Sequence, residues 1–96
     1  MEENDKKSID FKGEKDVIEF VIKYEEKQGR KVKDVRKEKK GYDLESVDSE
    51  GNIRLIEVKK RNFPKERFVF LTSKEFSIFL KNENAYMYIV YKDKET

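Results

Sequence analysis

The chain lacks two residue types on which many functional sites depend, since it contains no cysteine and no histidine. The absence of cysteine excludes disulfides, thiolate metal ligands and a thiol nucleophile. The absence of histidine removes the commonest general base and the commonest zinc ligand. Any catalysis must therefore use carboxylate, lysine, tyrosine or hydroxyl groups, together with a cation that prefers oxygen ligands.

Long apolar runs are also missing. Apolar residues make up 35% of the chain and charged residues 46%, and no segment approaches the roughly 18 apolar residues of a membrane span. The N-terminal sequence MEENDKKS is too polar for a signal peptide. We therefore expect a cytoplasmic protein that does not associate with membranes.

The length of 96 residues predicts a single domain. Seven Phe and five Tyr, clustered into runs, argue against disorder despite the high charge. We expect a disordered N-terminal segment over 1–9, one domain over 10–92 and a polar tail over 93–96. The net charge of +2 neither requires nor excludes nucleic acid.

Hydrophobic periodicity predicts a mixed sheet flanked by helices, in the order α-β-β-β-β-α-β. A helical stripe over 14–28 stops at Gly29, and Thr72 and Glu75 form a capping box at the start of a second helix. The last apolar run is typical of a strand buried on both faces. The predicted strands are a weak one within 31–37, two hairpin strands over 42–48 and 52–59, and strands over 67–72 and 85–92.

The predicted hairpin carries the residues with the clearest chemistry. Glu57 and Lys59 share one face of its second strand, because alternate residues of a strand point the same way. A three-residue loop over 49–51, with Gly51 left-handed, would place Asp43 opposite Glu57. A four-residue loop would instead put the two acids on opposite faces.

Two carboxylates opposite each other destabilise a sheet unless a positive charge offsets their repulsion, and Mg²⁺ or Mn²⁺ would do so. Lys59 would then position an attacking water or stabilise charge on a phosphate. Metal-dependent phosphodiester hydrolysis is one interpretation. The other is an exposed hairpin face, since Glu-x-Lys also occurs at Glu25 and at Glu38.

An Asp, thirteen residues and then Glu-x-Lys at the end of an apolar strand resemble the PD-(D/E)xK nuclease superfamily. More narrowly, GYDLES followed by GNIRLIEVKKR resembles the domain named after the plant protein NO VEIN, over roughly 14–91. The resemblance implies a restriction-endonuclease-like core and a Mg²⁺-dependent nuclease in DNA defence, repair or processing. It also implies a helicase or another defence or repair protein as partner, and a catalytic Glu from the first helix, for which we choose Glu14.

Basic residues flank the hairpin and would bind the phosphates of DNA without reading its sequence. The alternative function is a catalytically inactive module of the same fold that binds nucleic acid or protein, and homodimerisation stays open. The predicted nucleic-acid-binding residues are Lys39, Lys40, Lys60, Arg61, Lys65 and Arg67.

Overall fold

The computed structural model describes residues 13–63 and 69–93, and in them a mixed α+β fold of two helices and a four-stranded sheet. The predicted disordered segment over 1–9 lies outside these residues. The elements are α1 (Glu14–Lys27), β1 (Lys31–Asp34), a 3-10 turn (Arg36–Glu38), β2 (Leu44–Val47), β3 (Ile53–Phe63), α2 (Ser73–Lys81) and β4 (Ala85–Asp93).

The strands lie side by side in chain order. β1, β2 and β3 form an antiparallel meander, and β4 pairs with β3 in parallel. The parallel pairing requires a crossover, and α2 lies in it between the two strands. Because β3 is the longest strand and pairs on both sides, it forms the centre of the sheet.

The hydrophobic core lies between α1 and one face of the sheet. Val17, Ile18 and Val21 recur at helical spacing and pack against Leu44 and Ile56. Helix α2 lies on the opposite face, where its Glu75 bonds Lys59, whose side chain points away from that of Ile56 by strand alternation. The sheet is therefore covered by one helix on each face.

The turn between β2 and β3 sets the register that the sequence favours. Gly51 has a left-handed φ of 88°, and Asp48 pairs with Asn52 through a backbone bond of 3.0 Å. The Asp48 carboxylate also accepts the N–H groups of Glu50 and Asn52 at 2.9 Å each. Leu44 consequently stands opposite Ile56, and the three-residue loop is confirmed.

One predicted strand is absent over its described part, and another is present but less buried than expected. Residues 69–72 form no strand and lead into α2, which begins at Ser73; 67 and 68 lie outside the described residues. The order of the described elements is therefore α-β-β-β-α-β. The run 85–92, expected to be buried on both faces, lies at the edge of the sheet, with Tyr91 55% exposed.

No helix in the described part of the chain is long and apolar enough to cross a membrane. The longer of the two, α1, has 14 residues, and about 20 are needed to span the hydrocarbon core.

Candidate functional site

Asp43 lies immediately before β2 and bonds the central strand on either side of Glu57. Its backbone N–H donates to the carbonyl of Ile56 at 2.9 Å, and its Oδ2 accepts the N–H of Val58 at 2.8 Å. The regular pairing of β2 and β3 stops at Leu44, so the Asp43 side chain occupies the place of a backbone acceptor. The strand is thereby held with Asp43 beside Glu57.

Glu57 is a buried acid, with only 6% of its surface exposed. Burial raises the pKa of its carboxyl group, and the negative charge of Asp43 and the hydrogen bond and charge of Glu75 raise it further, to about 8. Lys59 opposes this shift through its positive charge. The effect of Asp43 shows that the two acids predicted from the hairpin register act on each other.

Lys59 lies between two acids on the sheet face that α2 covers. Its Nζ is 3.3 Å from Glu57 Oε2 and 3.0 Å from Glu75 Oε1. Burial acts to lower the pKa of Lys59, but hydrogen bonds and the charges of Glu75 and Glu57 raise it above its ordinary value. Lys59 is therefore a positively charged group that Glu57 and Glu75 hold in place.

Glu75 is the site residue that the sequence interpretation missed, because it was assigned only to the helix cap. The predicted capping box is present: Thr72 Oγ1 accepts the Glu75 N–H, and Glu75 Oε1 accepts the Thr72 N–H. The same Oε1 accepts from Lys59. Burial acts to raise the pKa of Glu75, but the Thr72 N–H and then Lys59 and Glu57 lower it. The capping box was the available signal, although it does not indicate the contact with Lys59.

Glu14 is the first residue of α1, and the position of its side chain is outside what the structure describes. The body of α1 packs on the sheet face opposite Glu57, through Val17 and Val21. Glu14 lies at the end of the helix, where the chain enters it. Its part in the site stays a prediction.

Of the predicted nucleic-acid-binding residues, the structure describes Lys39, Lys40, Lys60 and Arg61. Lys40 is occupied by Glu45 at 3.0 Å and Glu38 at 3.3 Å. Lys39 adopts a left-handed φ of 54° and its carbonyl accepts from the ammonium of Lys74. Side chains of Lys60 and Arg61 point to opposite faces of β3 by strand alternation. Lys65 and Arg67 lie outside the described residues.

A different basic group lies nearer the acids. A surface depression of about 780 Å³ reaches Asp43 and is lined by Asp34, Arg36, Lys37 and Glu38. Arg36 is held by Asp34, whose Oδ2 lies 2.8 Å from the guanidinium. The depression therefore reaches Asp43 along a lining that carries both basic and acidic side chains.

A second buried acid, Glu25, lies on the α1 face, away from Glu57. It is 0% exposed; its carboxylate accepts from Arg30 at 2.5 Å, from Ser46 at 2.9 Å and from the Tyr88 hydroxyl. Burial acts to raise the pKa of Glu25, but these hydrogen bonds lower it below its ordinary value. The sequence signal was an acid on the apolar stripe of α1, five residues before Arg30. The arrangement is fully bonded and stabilises the fold.

The acidic site itself provides two neighbouring carboxylates, one ammonium and a third acid bound to that ammonium. Within 13–63 and 69–93, no group of three or more acidic side chains is arranged to hold a metal ion. Two carboxylates with water and substrate oxygens are sufficient for Mg²⁺, which often keeps several waters. In the described part of the chain, the acidic groups that could hold such a cation are therefore the two carboxylates of Asp43 and Glu57.

Comparison with known proteins identifies the family without adding a described function. No curated protein and no solved structure matches the chain. The model of one family, described as "Protein NO VEIN, C-terminal", matches residues 13–96. This match includes Asp43, Glu57, Lys59 and Glu75, and it covers all the described elements. The chain therefore belongs to the NO VEIN C-terminal domain family.

Proposed function

We propose that this chain is a metal-dependent nuclease domain that hydrolyses phosphodiester bonds of DNA, with Asp43 and Glu57 as metal ligands and Lys59 as a catalytic residue. The observation that carries the proposal is the attachment of Asp43 to β3 on both sides of Glu57, through Ile56 and Val58. It holds Asp43 next to Glu57 beyond the point where the regular pairing of β2 and β3 ends.

The acidic pair fits a divalent cation in charge and donor type. Glu57 is buried beside Asp43, and burial and the repulsion between the two acids raise its pKa to about 8. A hard cation such as Mg²⁺ or Mn²⁺ would offset that repulsion, and binding would release the proton of Glu57. When bound, the cation would supply Lewis-acid activation of a phosphate oxygen and a more acidic water.

Lys59 would act on the reacting phosphate or water. Its ammonium lies on the same sheet face as Glu57 and stays charged, because Glu75 and Glu57 raise its pKa. A fixed positive charge at this place stabilises negative charge that develops on a phosphate oxygen, or orients a water for attack. Glu75 is then a positioning residue, since it holds Lys59 and is itself held by Thr72.

The wider context of the proposal rests on the resemblance to PD-(D/E)xK nucleases and their restriction-endonuclease-like core. A mixed sheet covered by a helix on each face, with the Asp immediately before β2 and the Glu-x-Lys on the neighbouring strand β3, supports that assignment. We also propose a role for Glu14 at the start of α1, a process of DNA defence, repair or processing, and a helicase or related partner.

Basic residues would hold the DNA by its phosphates. Lys37 and Arg36 line the depression that reaches Asp43, although Arg36 is paired with Asp34 just as Lys40 is paired with two acids. Lys60, Arg61 and Lys39 are secondary candidates, and Lys65 and Arg67 keep their predicted role. Such contacts would give binding that weakens steeply as salt concentration rises.

One observation favours a second function, a catalytically inactive module that binds nucleic acid or protein. Lys59 already contacts two acids, at 3.3 Å from Glu57 and 3.0 Å from Glu75. A closed ion-pair cluster of this kind also serves as a structural element, without metal or substrate. Under this function, binding would be independent of divalent cations.

The discriminating experiment measures cleavage of labelled single-stranded, duplex and branched DNA by chelator-treated protein while Mg²⁺ or Mn²⁺ is added. We expect cleavage only with the cation, and a loss of at least about 100-fold in Asp43→Asn, Glu57→Gln and Lys59→Ala. Circular dichroism establishes that each variant is folded. Glu50→Gln, an exposed acid of the hairpin turn, is the matched control and should cleave normally.

Isothermal titration of Mn²⁺ separates the two functions. Loss of both Mn²⁺ binding and cleavage in Asp43→Asn supports the nuclease function. DNA binding without metal dependence, unchanged in Asp43→Asn, supports the inactive module. Cleavage at the wild-type rate in all three site variants would rule out the assigned residues.

The part of Glu14 is tested with the same assay. Glu14→Gln should lower the cleavage rate while Glu19→Gln, an exposed acid of the same helix, leaves it unchanged. Equal rates in the two variants would remove Glu14 from the site without affecting the assignment of Asp43 and Glu57.

A further inference from the structure

Strand β4 leaves one edge of the sheet open within the described residues. It pairs with β3 on one side and with no described strand on the other. It has nine residues, and the first seven, Ala85 to Tyr91, carry no charge and no proline. Edge strands of this length and character add a further strand unless charge, proline, a bulge or shortness prevents it.

The opposite edge of the same sheet is protected. Strand β1 has only four residues, and three of them, Lys31, Lys33 and Asp34, are charged. Short, charged edges of this kind discourage pairing with other chains. The two edges therefore differ, since β1 is protected against pairing with another strand and β4 is not.

The side chains of β4 lead to the same conclusion. Its apolar run has the composition of a strand that is buried on both faces, yet Tyr86, Ile89 and Tyr91 are 39%, 43% and 55% exposed. Helix α2, which contacts β4, carries Phe76 and Leu80 at 53% and 70% exposure. A neighbour along this edge would bury these groups.

We propose that two copies of this chain pair through their β4 edges, antiparallel, to form one continuous eight-stranded sheet. The backbone groups for this pairing are identified by the bond from the Leu55 N–H to the carbonyl of Asn84, at 3.0 Å. In a parallel ladder this bond directs the even-numbered residues of β4 toward β3. The N–H and C=O groups of Met87 and Ile89 therefore point outward.

The strand is complementary to itself. Ile89 is the midpoint of Ala85–Asp93, so an antiparallel pair centred on it overlaps along the whole strand and joins outward groups to outward groups. The charged residues Lys92 and Asp93 then stand opposite Tyr86 and Ala85 of the second copy. No two like charges face each other, and the pairing meets no electrostatic penalty.

The pairing closes on itself, because both copies use the same edge about a twofold axis. The edges that remain are the two short, charged β1 strands, so a dimer rather than a fibre is expected. Since opposed residues of an antiparallel pair point to the same side, the two Glu57–Lys59 clusters lie on one face of the joint sheet. The dimer does not depend on nuclease activity.

The test is the molar mass of the purified full chain, measured by sedimentation and light scattering over about three decades of concentration. We expect a rise from 11.6 kDa to twice that mass. Ile89→Lys adds a charge at the centre of the edge and should keep the mass at 11.6 kDa. Ile53→Lys, 45% exposed in β3 beside β2, is the matched control and should still dimerise.

Amide hydrogen exchange on the wild-type chain provides a second measurement that needs no variant. The N–H groups of Met87 and Ile89 should exchange at least about tenfold more slowly in concentrated than in dilute protein. The N–H of Val90, which points toward β3, should change little. A constant monomer mass, larger assemblies, or the same mass for Ile89→Lys as for wild type would each overturn the proposal.

Discussion

Glu57 combines near-complete burial with two acidic neighbours, Asp43 and Glu75, and its ionisation therefore opposes folding. Its pKa rises from 4.5 to about 8 in the folded protein. Because the folded state holds this proton more tightly than the unfolded state, the stabilising effect of the raised pKa is complete below pH 4.5. This contribution declines as pH rises and is lost above about 8. The shift in pKa corresponds to at most roughly 5 kcal/mol of unfolding free energy.

We therefore expect Glu57→Gln to stabilise the metal-free protein at high pH. The amide resembles the protonated acid, so variant and wild type should be similar near pH 5, and the variant should be more stable by about 1–3 kcal/mol at pH 9. Urea unfolding in the presence of a chelator measures the difference. Glu50→Gln, in the exposed turn, should show no such trend; a difference independent of pH would contradict the role of Glu57 ionisation.

Glu25 shows the opposite linkage. Its folded pKa is lowered, so its stabilising contribution is present above pH 4.5 and is lost as pH falls through the folded value. Glu25→Gln should cost about 2–4 kcal/mol at pH 7, because the charge that binds Arg30 and Tyr88 is removed from a buried place.

Denaturant unfolding between neutral and acidic pH measures this effect of Glu25. The matched control is Glu26→Gln, the adjacent exposed acid of α1, which should stay within about 0.5 kcal/mol of wild type. Equal losses in the two variants would show that the buried hydrogen bonds of Glu25 do not contribute to stability.

At the level of elements, the hairpin was the part of the fold most open to prediction. Three residues, Ser49, Glu50 and Gly51, decided the register, and a left-handed Gly is a local property that the sequence states directly. Glu75 could be identified as a cap for the same reason. Its contact with Lys59 depends on where α2 crosses the sheet, which is a long-range property.

The run 85–92 shows the limit of composition at the same scale. Its aromatic and β-branched residues predict burial on both faces, but a single chain does not supply a neighbour for its outer edge within the described residues. Over 69–72 the predicted strand is absent, since a strand needs a hydrogen-bonding partner as well as propensity. Whether a segment has such a partner depends on the topology of the whole sheet.

Gly51 tests how strongly the turn contributes to the hairpin. Its φ of 88° is unfavourable for a residue with a Cβ, although a Cβ there would meet no atom within 4 Å. Gly51→Ala should therefore cost about 1–2 kcal/mol from backbone strain alone. Gly51→Asn should recover most of that loss, because Asn tolerates the left-handed region. Thermal unfolding compares the two; equal stabilities would show that the turn does not restrain the hairpin.

For the whole molecule, the distribution of the core between the two sheet faces determines which substitutions the fold tolerates. The buried hydrophobic cluster contains residues of α1, β2, β3 and β4, whereas α2 contributes no buried residue. A domain of this size has a stability of only about 5–10 kcal/mol. The side of the sheet facing α1 must therefore provide most of its hydrophobic stabilisation.

Two isoleucines of β3 test this asymmetry with the same chemical change. Ile56 is 0% exposed against α1, and Ile53 is 45% exposed on the opposite face. Ile56→Val should cost about 1 kcal/mol, since a methylene is removed from a close-packed cluster. Ile53→Val should cost less than about 0.5 kcal/mol. Urea unfolding at low protein concentration, where association through β4 is least, measures both. Equal losses would show that the two faces share the core, and the sheet would then need the face carrying Glu57 and Lys59 for its stability as well as for its chemistry.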